Sequence, residues 1–349
     1  MAGRRAQFAQ TASVTTKIRA TALWVIIILA TGLMFVMGFF MHSLTNSIML
    51  ETLQPMAKTA AQSVEGNLHI LAERFFMIRD NTLISSSASA TAEKRQVLER
   101  FISSMEFAWI GLYESGGKLI TGTQECPRNI SGRNLFTSIK ATNNLVIEDT
   151  SIGFNGPEIT MGLPGIPAEQ SGGDDGQPAY YIVGAYNYDV LSDILSNIKV
   201  GPNCTAFIIN RQGRLVAHRD VGKVFGRETV ADSLGFGPEA EEVLLPMKQG
   251  LTGAMQVSGV EGKMFVSFSP IRGTLWSLGI QAPRSDFTSA ASQALTIGAL
   301  ITVASIVIFS IFLTIFIRRI LSVPLGAITD SADKLVDGEF GNLMPPQII

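Results

Sequence analysis

The chain has 349 residues and a formal net charge of −2, from 27 Lys and Arg against 29 Asp and Glu. This balance lacks the basic excess of nucleic-acid-binding proteins, so we expect no nucleic-acid partner. Its two cysteines are too few for a disulfide framework. The length allows two or three domains, and 46% hydrophobic against 16% charged residues is too apolar for a wholly soluble protein.

The first apolar run occupies residues 20–42 and follows a basic segment, 1–19. About twenty apolar residues suffice to cross a bilayer as a helix. A cleaved signal peptide is the alternative, but the run is longer than a signal core and ends in FFMHSL, without the small residues of a cleavage site. We predict an uncleaved transmembrane helix with a cytoplasmic N-terminus, because positive charge marks the cytoplasmic flank.

A long amphipathic helix is predicted to continue from this span. After Pro55, apolar residues recur at steps of three and four, which is the period of one helix face. These residues are Ala60, Val64, Leu68, Leu71, Phe75 and Ile78. The Ser-rich stretch SSSASATAEK then predicts a turn before a second helix over residues 94–105.

The period next changes to that of strands, and one hairpin pattern occurs twice. FAWIGLYESGGKLITGT (107–123) predicts two strands joined at Gly117, and CTAFIINRQGRLVAHRD (204–220) repeats the pattern around Gly213. A closing strand follows each hairpin, at 178–191 and at 263–283, the latter itself predicted to turn at Arg272-Gly273. We interpret this repetition as two small sheets in tandem.

A second uncharged apolar run, 295–317, is followed at once by Arg318 and Arg319. It predicts another transmembrane helix, whose C-terminal end is cytoplasmic. Residues 43–294 would then lie outside the cytoplasm.

The segment after the second run predicts a helix with a seam for a partner helix. Pro324 suits a helix start, and the apolar residues that follow at steps of three and four are Leu325, Ile328, Ala332 and Leu335. We therefore predict a parallel homodimer.

In order, these segments resemble the double Cache sensor domain of bacterial transmembrane receptors. The resemblance rests on the long helix, ISGRNLFTSIKATNNLVIEDTSIGFNGPEITMGLPG, YYIVGAYNYDVLSDIL and SFSPIRGTLWSLGIQAP. It implies an α+β fold, with two tandem PAS-like antiparallel-sheet modules on a long N-terminal helix between two transmembrane helices. The membrane-distal module would span about 81–198 and the membrane-proximal module 199–283.

Residues 318–349 resemble the start of a HAMP linker, which we expect to be incomplete. Receptors of this kind are mostly methyl-accepting chemotaxis proteins, and the resemblance implies a multi-pass chemoreceptor of the inner or plasma membrane that is not an enzyme. The input half of a histidine kinase or diguanylate cyclase is the alternative. A tethered ectoenzyme or adhesin is a third hypothesis, but it has no need of the helix seam.

The resemblance also implies a small-molecule site in the distal module. Arg133 and Phe136 match the family segment R-x-x-[FWY], and Asp189 matches the acidic residue after the last distal strand. Such an arginine binds a ligand carboxylate and such an aspartate an ammonium group. Tyr181 and Tyr186 complete the expected ligand-binding set. We expect a small ligand that carries a carboxylate; a surface or structural ion pair is the alternative role for Arg133.

Several features have two interpretations. Alternation places Tyr180, Tyr186 and Tyr188 on one face of the strand, where a core role competes with ligand binding. The Gly/Pro loop 162–178 suits a solvated turn better than a pocket lid.

The sequence gives little support for a metal site or a disulfide bond. The three histidines are scattered, so we expect neither metal nor cofactor. We favour separate thiols for Cys126 and Cys204, although an oxidising compartment permits a bridge.

Overall fold

The computed structural model describes residues 2–166, 178–198, 201–317 and 319. The helices are α1 (Ala2–Arg79), α2 (Thr82–Ser85), α3 (Thr91–Met105), α4 (Asn134–Thr142), α5 (Asp189–Ser196), α6 (Val221–Val224), α7 (Val230–Leu234), α8 (Ala240–Lys248) and α9 (Arg284–Ile317). The strands are β1 (Phe107–Tyr113), β2 (Leu119–Gly122), β3 (Val146–Ile147), β4 (Ser151–Gly153), β5 (Gly156–Pro164), β6 (Tyr181–Asn187), β7 (Thr205–Asn210), β8 (Leu215–His218), β9 (Gly253–Gly259), β10 (Gly262–Ile271) and β11 (Trp276–Pro283).

The chain divides into two compact units. One is Ser47–Asp286, which contains both sheets, and the other combines Met1–Asn46 with Phe287–Ile349. Two helical stretches are long and apolar enough to cross a membrane, Ala20–Arg79 and Arg284–Ile317.

The two sheets share one strand order, which confirms the predicted α+β fold with tandem sheets. The distal sheet is ordered β2-β1-β6-β5-β3, with β4 also paired to β5, and the proximal sheet β8-β7-β11-β10-β9. If β4 is left out and the strands of each module are numbered from 1 to 5 in chain order, both sheets have the order 2-1-5-4-3. All the pairings are antiparallel.

The two predicted hairpin turns are alike in detail. Gly117 and Gly213 have φ of 81° and 76°, in the left-handed region that glycine adopts at low cost. Each donates its backbone N–H to the residue that begins the turn, Glu114 in the first hairpin and Asn210 in the second. The predicted turn at Gly273 is also present, between β10 and β11.

One hydrophobic core joins α1 to both modules. The predicted face of α1 is buried, and Pro55 lies inside the helix without ending it. The core combines this face with Ile110 and Ile182 of the distal sheet and Ile208 and Leu278 of the proximal sheet. Separate cores lie beneath α4 on the distal sheet and α8 on the proximal sheet. The two modules are therefore held together by packing as well as by the chain.

Some boundaries differ from the predictions. The helix predicted over 94–105 begins at Thr91, because the Glu93 carboxylate accepts the backbone N–H of Ala90 and stabilises an earlier start. Gly162 and Leu163 belong to β5 and pair with β6, so the loop assigned to 162–178 starts later. Cys126 and Cys204 are unpaired thiols, as favoured. Residues 167–177 and the seam residues 324–335 lie outside the described residues.

Candidate functional site

The candidate site lies on the face of the distal sheet that α4 covers. Trp109 of β1, Ala185 of β6 and Thr160 of β5 are neighbours across the sheet on this face. At Gly162, a Cβ atom would lie only 2.6 Å from Cδ1 of Ile139 in α4. Glycine there lets the helix approach β5 closely. Arg133 directly precedes this helix, and its guanidinium lies beside Thr160 of β5.

Arg133 is the N-cap residue of α4, and its side chain is 31% exposed. Its guanidinium Nη1 donates to Thr160 Oγ1 at 3.5 Å and lies 3.9 Å from Glu158 Oε1. The guanidinium carbon is 5.9 Å from the centre of the Trp109 ring. Because these contacts are long and a guanidinium carries five N–H donors, Arg133 retains donors for a ligand.

Glu158 is the most deeply buried charged residue of this face, with 3% of its surface exposed. Its Oε2 accepts a hydrogen bond of 2.9 Å from the indole N–H of Trp109. Its Oε1 is buried and has no hydrogen-bond partner among the described residues. A buried carboxylate oxygen without a hydrogen bond is costly. The Arg133 guanidinium is an ion-pair partner at 3.9 Å, so Oε1 can still accept a ligand N–H.

Glu148 is a second carboxylate at this site. Its backbone N–H donates to Thr160 O at 2.9 Å, which places it beside β5. Burial raises the pKa of Glu148, while the charge of Arg133 and a hydrogen bond from the backbone N–H of Leu135 oppose the rise. Leu135 lies in the first turn of α4, where a negative charge stabilises the helix. The site thus brings two carboxyl groups, those of Glu148 and Glu158, close to one guanidinium.

Phe136 and Tyr181 lie on the same face as Arg133, in the core beneath α4. Their rings meet edge to face, with centres 5.1 Å apart. Both side chains are almost fully buried, and burial raises the pKa of Tyr181. They therefore support the helix that positions Arg133, and whether they also touch a ligand stays a prediction.

Tyr186 lies on the opposite face of the sheet. It stacks on Phe107 with ring centres 4.4 Å apart, and its hydroxyl donates to the backbone oxygen of Leu71 in α1 at 3.1 Å. Tyr180 and Tyr188 share this core and Tyr181 belongs to the other, so the predicted alternation is confirmed. Tyr186 thus lies on the face of the sheet away from Arg133, and its ligand-binding role stays a prediction.

Asp189 is the first residue of α5, and its side chain is exposed. Within the described ranges, it is the carboxylates of Glu148 and Glu158 that interact with Arg133. The role of Asp189 as an ammonium ligand thus stays a prediction. Sequence reasoning missed Glu158, although a charged residue in the apolar strand GPEITMGLP was a usable signal.

Two cavities lie away from this face. One of about 350 Å³ is in the proximal module, and one of about 260 Å³ lies beside Leu195 and Cys204. Within the described ranges, His, Cys, Asp and Glu side chains form no group of three that could hold a metal ion.

Comparisons with known proteins agree with this architecture. A family model described as the Cache domain matches residues 40–291. The ligand-binding domain of the Pseudomonas aeruginosa PAO1 amino acid chemoreceptor PctC, in complex with GABA, is 18% identical, with a TM-score of 0.51 over 67% of this chain and 99% of that one. The ligand-binding domain of the Pseudomonas fluorescens chemoreceptor CtaA, in complex with L-isoleucine, is 15% identical, with a TM-score of 0.55 over 72% of this chain and 99% of that one.

A third solved structure comes from another class of receptor. The extracellular domain of the putative histidine kinase mmHK1S-Z3 is 13% identical, with a TM-score of 0.53 over 70% of this chain and 97% of that one. No curated protein matches the chain. At these identities the likeness is one of fold, but the family model spans well over half of the sequence. The chain therefore belongs to the Cache domain family.

Proposed function

We propose that this protein is a transmembrane chemoreceptor of the methyl-accepting chemotaxis type. Its distal module binds a small molecule outside the cytoplasm, and α9 passes the signal to a HAMP linker. The likeness to the ligand-binding domains of PctC and CtaA supports a sensor role. We propose that the two Cache modules bind a ligand and do not catalyse a reaction.

The ligand that suits the distal face best is a small zwitterion of the amino-acid class. Its carboxylate would accept bonds from Arg133, and its ammonium group would donate to Glu158. The observation that carries this assignment is the buried Glu158 Oε1, which has no hydrogen bond within the described part of the chain and lies 3.9 Å from the Arg133 guanidinium. The structures of PctC with GABA and CtaA with L-isoleucine contain ligands of this class.

Membrane insertion is supported by the apolar surface of the two long helices. Leu33, Phe35 and Leu300 expose 71%, 77% and 66% of their surfaces. Removing apolar surface from water stabilises a protein by about 25 cal/mol per Å². A bilayer would remove the apolar surface of both helices from water. The basic residues before the first apolar run and after the second support a topology with both ends of the chain in the cytoplasm.

Two continuous elements lead from the modules toward the proposed membrane. The helix α1 contributes to the core of both modules and includes the first apolar run, while β11 is followed directly by α9. Packed elements of this kind shift between discrete arrangements, not smoothly. In the proposed homodimer, ligand binding displaces the second span and repacks the helix seam of residues 325–335. The ligand biases that change only through its different affinities for the two states.

The input half of a histidine kinase is the second candidate. The likeness to mmHK1S-Z3 covers 70% of this chain, about as much as the likenesses to the chemoreceptors. The two Cache modules therefore do not distinguish the two outputs. A diguanylate cyclase would share the same input.

Calorimetric titration of the full chain in detergent with L-amino acids and GABA tests the proposed ligand class. We expect Arg133→Gln and Glu158→Gln each to weaken binding at least about tenfold, the effect of one charged hydrogen bond. Glutamine at 158 retains an oxygen for the Trp109 indole, so the fold should persist. Arg128→Gln, at an exposed residue of the same module, is the matched control. Binding that is unchanged in both site variants would exclude this site.

A further inference from the structure

The cavity of about 350 Å³ in the proximal module is formed by two stretches of chain. The β7–β8 hairpin forms one wall, and residues from Lys223 to Ser233 form the other. Asp149 and Thr150, from the distal module, also line it. Its volume falls within the range of about 300–1,000 Å³ that is typical of small-molecule sites.

The lining combines five apolar residues with eight polar or charged ones, so it can contact both a hydrocarbon group and a charged group. The apolar residues are Leu215, Val216, Val224, Phe225 and Val230. This surface suits a ligand with a short hydrocarbon body.

Two cationic side chains of the lining are available to an anion. Lys223 is partly buried, and no carboxylate lies within ion-pair distance of it among the described residues. Arg214 is 75% exposed, and its ion pair in the described part of the chain is with Asp149, at 3.4 Å. Glu228 also lines the cavity, and since its side chain is exposed as well, water and salt screen its charge and that of Arg214 alike.

Asp149 does not neutralise these cations fully. Its Oδ2 accepts a hydrogen bond of 2.6 Å from the Asn210 amide, and its Oδ1 accepts one of 2.8 Å from the Trp276 indole. Because both oxygens already have close donors, the Arg214 guanidinium keeps N–H groups for another acceptor.

We propose that this cavity is a second ligand site, which binds a small carboxylate with a short hydrocarbon body. Lys223 and Arg214 bind the carboxylate, and Leu215 and Val230 contact the hydrocarbon. A carboxylate bound to Arg214 competes with Asp149, a residue that connects the distal to the proximal module. The site would therefore let a second metabolite adjust the response. Binding here does not depend on which ligand the distal face takes.

Titration of the full chain in detergent with butyrate tests the proposal, with butyramide as the uncharged analogue. We expect butyrate to bind and butyramide to bind at least about tenfold more weakly. Lys223→Gln and Arg214→Gln should each weaken butyrate binding by about tenfold or more. Lys263→Gln, at an exposed lysine of the same module, and Arg133→Gln, at the distal site, should leave it unchanged.

Two results would overturn the proposal. One is an absence of butyrate binding to the wild-type chain. The other is butyrate binding that Arg133→Gln removes and Lys223→Gln preserves, which would assign butyrate to the distal face. Lys223→Met keeps the apolar stem of the side chain, so it replaces Lys223→Gln if that variant has a lowered melting temperature. Loss of binding in a Lys223→Met variant of normal melting temperature supports the site, and retained binding contradicts it.

Discussion

Asp149 in the distal module accepts a hydrogen bond of 2.8 Å from the indole N–H of Trp276 in the proximal module. Trp276 is the first residue of β11, the strand that leads directly into α9. The preceding residue, Glu148, lies near the start of α4, where the backbone N–H of Leu135 and the charge of Arg133 both act to lower its pKa against the effect of burial. Two adjacent residues thus connect the helix that carries the candidate ligand contact to the strand that precedes the second apolar helix.

A double-mutant cycle measures the Asp149–Trp276 connection. Asp149→Ala should lower the free energy of unfolding by about 2 kcal/mol, because it removes a charged acceptor from partly buried donors. In the double variant with Trp276→Phe, the change in the free energy of unfolding should differ from the sum of the two single changes by at least about 0.5 kcal/mol. Denaturant unfolding provides the values, with Asp193→Ala, at an exposed aspartate, as control. Strict additivity would show that the two residues are not coupled.

Tyr186→Phe separates structural support from ligand contact. The hydroxyl of Tyr186 bonds to Leu71 O of α1, on the face opposite Arg133. We expect its loss to lower the free energy of unfolding by about 1 kcal/mol and to leave amino-acid affinity unchanged in the titration. An affinity reduced about tenfold, equivalent to 1.4 kcal/mol, would place Tyr186 in the site after all.

His218 should make stability depend on pH. Its Nδ1 accepts the backbone N–H of Asp220 at 2.9 Å, and its buried Nε2 has no hydrogen-bond partner among the described residues. Burial and the nearby Lys223 lower its pKa from 6.5, although Asp220 opposes them. The backbone of His218 is also bound to the hydroxyl of Tyr188, whose pKa burial raises to about 12.

The sign follows from proton linkage. Because the folded pKa of His218 lies below the unfolded value of 6.5, the unfolded state takes up more protons as the pH falls below 6.5. Stability should therefore decrease on acidification from that pH, and His218→Asn, whose Oδ1 can accept from Asp220, should reduce the decrease. Melting temperatures between about pH 5 and 8 test this linkage. An identical pH profile in the variant would contradict it.

The hairpins and the strand alternation could be predicted because they depend on local sequence. Gly117 and Gly213 mark turns that a few residues define, and the alternation of the tyrosines follows from the period of a strand. Glu158 was missed because its importance depends on Trp109 and Arg133, which come from other elements. The Asp149–Trp276 bond joins residues 127 positions apart, and no local pattern encodes such a pair. Asp189 matches the family motif, and its predicted role as an ammonium ligand stays a prediction.

The proposed topology predicts where added cysteines react. Val260 is 79% exposed in the proximal module, and Val260→Cys should react with an impermeant thiol reagent added to intact cells. Ala6→Cys should react only after the cells are permeabilised, because its segment is flanked by basic residues. Both variants are made in a chain without Cys126 and Cys204. The reverse labelling pattern would contradict the proposed topology and indicate the opposite orientation.

The central claim is that Arg133 binds the carboxylate of the ligand and Glu158 its ammonium group. The most direct test removes each charge of the ligand separately and compares the effect in the two site variants. For an L-amino acid that binds, the N-acetyl derivative lacks the ammonium group and the amide derivative lacks the carboxylate. We predict that each derivative binds wild type at least about tenfold more weakly than the parent amino acid. Glu158→Gln should remove the discrimination against the N-acetyl form, and Arg133→Gln the discrimination against the amide. Discrimination that persists undiminished in both variants would show that Arg133 and Glu158 do not hold the ligand.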